Sequence, residues 1–283
     1  MAHASPLVSA SWLKDNLKTP DLRVVDASWF PSWTSSAGAG RQSYDRGHIP
    51  GAVYFDIDEI SDTESDLPHM MPDSVKFSSR VRKLGIGDGN RVVVYDANDF
   101  FASARVWWMF RVMGHKEVYV LDGGLRAWQT EGGELEDLPP VITGGRHFTP
   151  RVRSDLIKSR EQVAAASAAG DVPILDARPT GRFSGAENEP RPDLPSGHIP
   201  GSTNVPSGKL VGADGKLSAR EQIQSLLGDY AERPVITSCG SGVSAAVIAL
   251  ALAEIGNWDA AVYDGSWSEW GAHPESEIAT ASA

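Results

Sequence analysis

At 283 residues the chain exceeds what one hydrophobic core usually organises, and 41% hydrophobic with 22% charged residues is an ordinary water-soluble composition. A formal charge of −11 argues against nucleic acid or an anionic membrane as partner, so an anionic substrate has to find a local basic pocket. One cysteine excludes an internal disulfide and a thiol-rich zinc site, and no metal or cofactor is expected.

Met1 to Leu13 has neither a basic start nor a continuous apolar core, which predicts no signal peptide. The most apolar segments, Val106 to Met113 and Val243 to Leu252, are too short to span a bilayer. A cytoplasmic, reduced setting is the expectation.

Taken in chain order, Val24-Val25-Asp26-Ala27 reads as a strand end and leads to the turn Gly47-His48-Ile49-Pro50-Gly51. Val92-Val93-Val94-Tyr95 is a second strand, ending at Asp96 and followed by an apolar helical stretch containing Trp107-Trp108. Tyr119-Val120-Leu121 then runs into Asp122-Gly123-Gly124, with Trp128 beyond. Glu131 to Arg153 is broken by Gly132-Gly133, Pro139-Pro140 and Gly144-Gly145 and reads as a linker.

After the linker the pattern restarts. Ile174-Leu175-Asp176-Ala177 repeats the first strand end, and Gly197-His198-Ile199-Pro200-Gly201 repeats the turn, with 22 residues from Asp to His both times. Val235-Ile236-Thr237 leads to Cys239, as the earlier strand leads to Asp96. Ala261-Val262-Tyr263-Asp264-Gly265-Ser266, with Trp270, closes the second copy. The repeat predicts a unit over 1–135, a linker over 136–153 and a second unit over 154–283. Strand-like runs alternating with helical ones predict α/β units, each a doubly wound parallel sheet with helices on both faces. Ligands in such sheets bind beyond the carboxyl ends of the strands.

Repetition separates scaffold from chemistry. His48 and His198 sit in identical turns, and Asp26 and Asp176 at identical strand ends, so all four read as structural. The tryptophans Trp107, Trp108, Trp267 and Trp270 read as core and interface packing. Cys239 has no counterpart of its kind. A single cysteine is ordinarily inert core filler. This one opens Cys239-Gly240-Ser241-Gly242-Val243-Ser244-Ala245 between a strand and an apolar helix over Ala245 to Ile255. Gly240 and Gly242 are expected to take positive φ and curl the backbone around the sulfur. Loop amides and the helix N-terminus then favour a thiolate. Asp96 in the first copy can accept the same amides but has no sulfur chemistry, so that copy is expected to be silent.

Two such copies, with a cysteine loop only in the second, resemble the tandem-domain rhodanese sulfurtransferases. The loop resembles the Cys-Gly-Ser-Gly-Val-Thr-Ala pattern of the 3-mercaptopyruvate branch, with Ser244 in place of Thr. Thiosulfate-using members carry basic residues after the cysteine, whereas Gly240 and Ser241 are neutral. The resemblance implies that the loop, with Val243 and Ser244, cradles the substrate sulfur. It also implies that Arg182, in Gly181-Arg182-Phe183, and Arg191, in Glu189-Pro190-Arg191, hold the donor's carboxylate and carbonyl, a task suited to guanidinium forks. Arg182 has Ser32 at the equivalent place, which favours function. Arg191 lies seven residues before its histidine, as Arg41 does, so position alone does not single it out. Asp58 and His69 resemble the family's Asp and His that act with the loop serine, here Ser241, across the domain interface.

The chemistry so implied moves the sulfur of 3-mercaptopyruvate, a small anionic donor, to cyanide, a small thiol or a thioredoxin-like acceptor through a Cys239 persulfide. Three other readings compete. A thiosulfate:cyanide sulfurtransferase differs only in donor. A cysteine phosphatase needs an arginine six residues after the cysteine, where Ala245 stands. A non-catalytic sulfur carrier has no use for the arginine pair.

Overall fold

The computed structural model describes residues 5–34, 36, 38–142 and 145–280; the first residues of the N-terminal stretch read above, and Gly144, lie outside the described residues. Five short strands, β1 (Leu7–Val8), β2 (Leu22–Asp26), β3 (Val53–Tyr54), β4 (Arg91–Tyr95) and β5 (Val118–Leu121), form a parallel sheet in the order β1-β5-β4-β2-β3. A second parallel sheet repeats that order as β6-β10-β9-β7-β8. Its strands are β6 (Ile157–Lys158), β7 (Ile174–Asp176), β8 (Thr203–Asn204), β9 (Ile236–Ser238) and β10 (Ala261–Tyr263). The duplication read from the sequence is therefore a duplication of topology.

Helices cover both sheets. Around the first lie α1 (Ala10–Asn16), α2 (Gly40–Arg46), α3 (Ser74–Lys83), α4 (Ser103–Val112) and α5 (Gly124–Thr130). Around the second lie α6 (Arg160–Ala169), α7 (Thr180–Ser184), α8 (Arg220–Leu227), α9 (Ala245–Glu254) and α10 (Ser266–Trp270). Among the described residues no helix is long and apolar enough to cross a membrane.

Two helices join the halves. A helix that is apolar all round has to be covered on every side. In α4 every residue except Arg111 is buried, and in α9 every residue except Glu254. They meet this demand by packing on each other, and one apolar cluster runs from Phe77 and Trp107 in the first half to Ala249 and Leu252 in the second. Both helices begin just past the loop that follows a sheet's central strand, β4 or β9. Their pairing therefore brings the Asp96 and Cys239 loops to the same cleft.

The structural assignments follow the sequence reading. His48 and His198 are each held through Nδ1 at 2.8 Å from a backbone carbonyl, of Tyr44 and Phe183 respectively, and each imidazole stacks on that residue's ring. The segment after the first sheet stays against it: Glu136 pairs with His48, and Phe148 packs on Phe77 and Phe110.

Candidate active site

The two equivalent loops differ as their residues require. In the first half the Asp96 carboxylate is buried and accepts four backbone N–H groups, from Asn98, Phe100, Ala102 and Ser103 at 2.8–3.2 Å. Burial pushes its pKa up, against the pull of those amides. The carboxylate has filled its own cradle.

In the second half Cys239 stands one residue beyond β9, and the loop amides divide into two sets. The N–H groups of Cys239 and Gly242 donate to the Ser266 hydroxyl at 3.0 and 3.1 Å. Those of Gly240, Ser241, Val243 and Ser244 have no acceptor among the described residues. Part of the expected cradle is thus spent on holding the loop, because Ser266, itself at φ +49°, reaches under it and donates to the Tyr263 carbonyl.

The two glycines do different work, which corrects the expectation that both curl the backbone. Gly242 is left-handed (φ +75°), and a Cβ there would meet the Asp264 carbonyl oxygen at 2.6 Å. Gly240 does not have positive φ. A side chain there would instead displace the arginines: a Cβ would lie 2.9 Å from Arg191 Nη1 and 3.4 Å from Arg182 Nη2. The loop is bare where the guanidinium groups approach it.

Cys239, Gly240, Ser241, Val243, Ser244, Arg182 and Arg191 line one cavity of about 380 Å³ between the two halves. Gly242 faces away from it. The opposite wall belongs to the first half and includes Trp29, Trp33 and Phe101, with Trp29 and Phe101 stacked at 5.7 Å. The sequence reading did not single out this wall; the density of aromatics in Trp29-Phe30-Pro31-Ser32-Trp33, outside any periodic pattern, was its available signal.

The arginines are not equivalent. Glu189, buried, accepts from both Arg178 and Arg182, and Arg178 also pairs with the buried Asp176. Two guanidinium groups and two carboxylates cancel. Arg191 has no carboxylate of its own among the described residues. Its guanidinium lies over Trp33 at 4.6 Å, Nη2 donates to Ser241 Oγ at 2.9 Å, and buried Nη1 has no hydrogen-bond partner among the described residues. Burial pushes its pKa down; a charge on Cys239 opposes that shift, and the like charge of Arg182 adds to it. Of three cationic side chains on this wall, Arg191 is the one left uncompensated.

Asp58 and His69 do reach across from the first half. His69 Nδ1 is 3.1 Å from Ser241 Oγ and Nε2 is 2.9 Å from Asp58 Oδ1. Trp29 Nε1 donates to the other Asp58 oxygen at 2.8 Å. Neither Asp58 nor His69 lines the cavity; both stand behind Ser241. Burial opposes ionisation of Asp58, but the hydrogen bonds from His69 and Trp29 outweigh it and hold the carboxyl below its usual value. Beside the Asp58 carboxylate, His69 Nε2 is the nitrogen placed to donate, which leaves Nδ1 facing Ser241 Oγ as acceptor. Donation therefore runs from Arg191 to Ser241, from Ser241 to His69, and from His69 to Asp58.

Two copies of one parallel α/β unit, with a single cysteine loop opening on the cleft between them, define a tandem-domain protein with one buried free thiol at that cleft. The chain belongs to the rhodanese-like domain family, whose model matches residues 9–131 and again 159–273. It is 38% identical to the 3-mercaptopyruvate sulfurtransferase of Escherichia coli (strain K12), covering 95% of each chain. It is 40% identical to the thiosulfate sulfurtransferase of Rattus norvegicus, over 96% of this chain and 94% of that one. The crystal structure of SseA from Escherichia coli, described as the rhodanese fold of 3-mercaptopyruvate sulfotransferases, superposes with a TM-score of 0.84. That match has 35% identity and covers 93% of this chain and 99% of that one.

Proposed function

We propose that this chain takes the sulfur of 3-mercaptopyruvate onto Cys239 and passes it to an external thiol or to cyanide, releasing pyruvate. The observation that carries the donor choice is Arg191, the one uncompensated cation of the cavity wall, with its free Nη1 beside Gly240. A guanidinium with no carboxylate partner and a free donor suits one substrate carboxylate. A dianion such as thiosulfate brings a second charge for which the cavity has no free cation, because Glu189 neutralises Arg182.

In the mechanism, Arg191 binds the donor carboxylate, and Arg182, oriented by Glu189, faces the adjacent carbonyl. The Cys239 thiolate attacks the donor sulfur. A sulfur–sulfur bond forms, the donor's carbon–sulfur bond breaks, and the bonding pair leaves on carbon as the enolate of pyruvate. The free amides of Gly240, Ser241, Val243 and Ser244 stabilise charge on the outer sulfur, as an oxyanion hole does on oxygen. Ser241 carries a proton between the reacting groups and His69, while Asp58 holds the imidazole in its tautomer. The acceptor then attacks the outer sulfur and Cys239 leaves as thiolate. With one cysteine in the chain no internal thiol can resolve the persulfide, so the acceptor comes from solution, a small thiol or a thioredoxin-like protein. A reducing cytoplasm suits a mechanism that begins from a free thiol.

Turnover with 3-mercaptopyruvate and with thiosulfate at matched acceptor concentration tests the donor. We expect kcat/KM for 3-mercaptopyruvate to exceed that for thiosulfate by about 100-fold, the cost of roughly 3 kcal/mol for an unpaired buried charge. A preference for thiosulfate, the donor for which the rat relative is named, overturns this assignment and leaves Cys239 as the nucleophile.

A further inference from the structure

We infer that Arg105 is a positioning residue for the reaction: paired with Asp264, it fixes His69 of the first half against the cysteine loop of the second. The inference rests on the proton-relay reading of His69 and extends it to the groups that hold that histidine in place.

Arg105 lies on α4, fully buried at 0% exposure, over the ring of Trp108 at 4.4 Å. Nη1 donates to Asp264 Oδ1 at 2.6 Å and to the carbonyl of Gly242, inside the cysteine loop, at 3.3 Å. Nη2 donates to the carbonyl of His69 at 2.5 Å. The second Asp264 oxygen accepts the backbone N–H of Met71 at 2.6 Å, two residues beyond His69. One buried ion pair therefore grips both sides of the His69 turn and touches the cysteine loop.

That turn needs gripping. His69 has φ +61°, a left-handed conformation that a non-glycine residue adopts at a cost and keeps only where the surroundings impose it. Ser241 and Asp58 hold the imidazole but do not set the backbone. The groups that do are Arg105, Asp264 and the Asp62 N–H, which donates to the Met70 carbonyl at 2.8 Å; of these only the Arg105–Asp264 pair ties the turn's backbone to the second half.

The repeat supplies the internal control. The third residue of α4 is Arg105; the third residue of α9 is Val247, buried and apolar. Asp122 is the counterpart of Asp264 and likewise accepts an N–H from the opposite half, that of Leu217 at 2.9 Å. The cross-domain carboxylate-to-amide bond is thus common to both copies and belongs to the scaffold. The guanidinium beneath it is found only where the carboxylate faces the cysteine loop, as chemistry requires and as packing alone does not.

The test compares His69→Ala, Arg105→Met, the two combined, and Arg105→Lys in the full chain. The readouts are the single-turnover rate of Cys239 persulfide formation from 3-mercaptopyruvate, its pH profile, and thermal unfolding. His69→Ala is expected to slow the step about 100-fold. Arg105→Met is expected to slow it about 10-fold or more and to alter the same part of the pH profile. The combined variant should be no slower than His69→Ala alone, because two residues acting through one group are not additive. Arg105→Lys should recover thermal stability but not rate: an ammonium can face Asp264, but it cannot also fork to His69 and Gly242. Should Arg105→Met fail to fold, Arg105→Met with Asp264→Asn takes its place, since it leaves no unpaired buried charge. Parental rates in the Arg105 variants beside a slow His69→Ala, or additive slowing in the combination, overturn the inference alone. A His69→Ala chain at the parental rate overturns the relay reading and this inference with it.

Discussion

Cys239→Ser is expected to fold as the parent does and to lose sulfur transfer by roughly four orders of magnitude or more. The substitution changes one buried atom. Its site is held by contacts that do not involve sulfur: Trp267 N–H donates to the Cys239 carbonyl and Cys239 N–H to Ser266 Oγ, at 3.0 Å each. Backbone and loop therefore stay. The chemistry does not, because a serine hydroxyl is not appreciably ionised near neutral pH and cannot form a persulfide. Ser241, two residues on in the loop, is no substitute; its oxygen is committed to Arg191 and His69. Pyruvate release and thiocyanate formation from cyanide measure the loss. Activity within tenfold of the parent would place the nucleophile elsewhere.

Arg191→Met is expected to lower kcat/KM for 3-mercaptopyruvate by about 100- to 1,000-fold, with KM rising and kcat falling together. A bidentate hydrogen bond to a carboxylate contributes about 3–4 kcal/mol when its charge is the one balancing the donor. The fall in kcat follows because Arg191 also donates to Ser241 and orders the chain of donors to His69 and Asp58. The fold should gain slightly in thermal stability. Burial opposes the Arg191 charge, and a buried charge without a carboxylate partner costs more than it returns until substrate arrives. Greater stability with lower activity is the signature of a residue retained for function. Arg191→Lys should not restore the rate, since an ammonium cannot bind a carboxylate and Ser241 through one planar fork. Steady-state kinetics with melting curves decide it. A variant with unchanged KM and a lower melting temperature would mean that Arg191 is structural.

What was legible in the sequence was what is local or repeated. Matching strand ends and His-Ile-Pro-Gly turns disclosed two copies of one sheet, because topology and turn chemistry are set by residues close in sequence. Asp96 was readable as the acceptor of its loop's amides on the same ground, and it accepts four of them. Cys239 stood out because glycines and serines replaced the apolar neighbours of an ordinary buried thiol.

What was not legible lies where the halves meet. Gly240 was read as a conformational glycine, yet the space it leaves is taken by arginines 49 and 58 residues earlier in the chain. Arg182 and Arg191 were read as a pair holding the donor's carboxylate and carbonyl, with position in the repeat favouring Arg182. Glu189 reverses that emphasis, and no short pattern reveals that a carboxylate seven residues from Arg182 folds back to neutralise it. Arg105 carried no signal at all: within α4 it is one charge in an apolar run, and its partners are 36 residues upstream and 137 and 159 residues downstream. Residues that act across a domain interface are specified by the packing of α4 on α9, which sequence periodicity does not encode.

Cys239 itself should take sulfur from the donor. The direct measurement is the mass of the purified, reduced chain after incubation with 3-mercaptopyruvate and no acceptor, with peptide mapping and a pyruvate assay on the same sample. The expected result is a gain of one sulfur atom on the peptide bearing Cys239, one pyruvate released per chain, and loss of the added mass when cyanide or a thiol follows. Pyruvate released with no sulfur on Cys239, or an unmodified chain with no pyruvate, would contradict it.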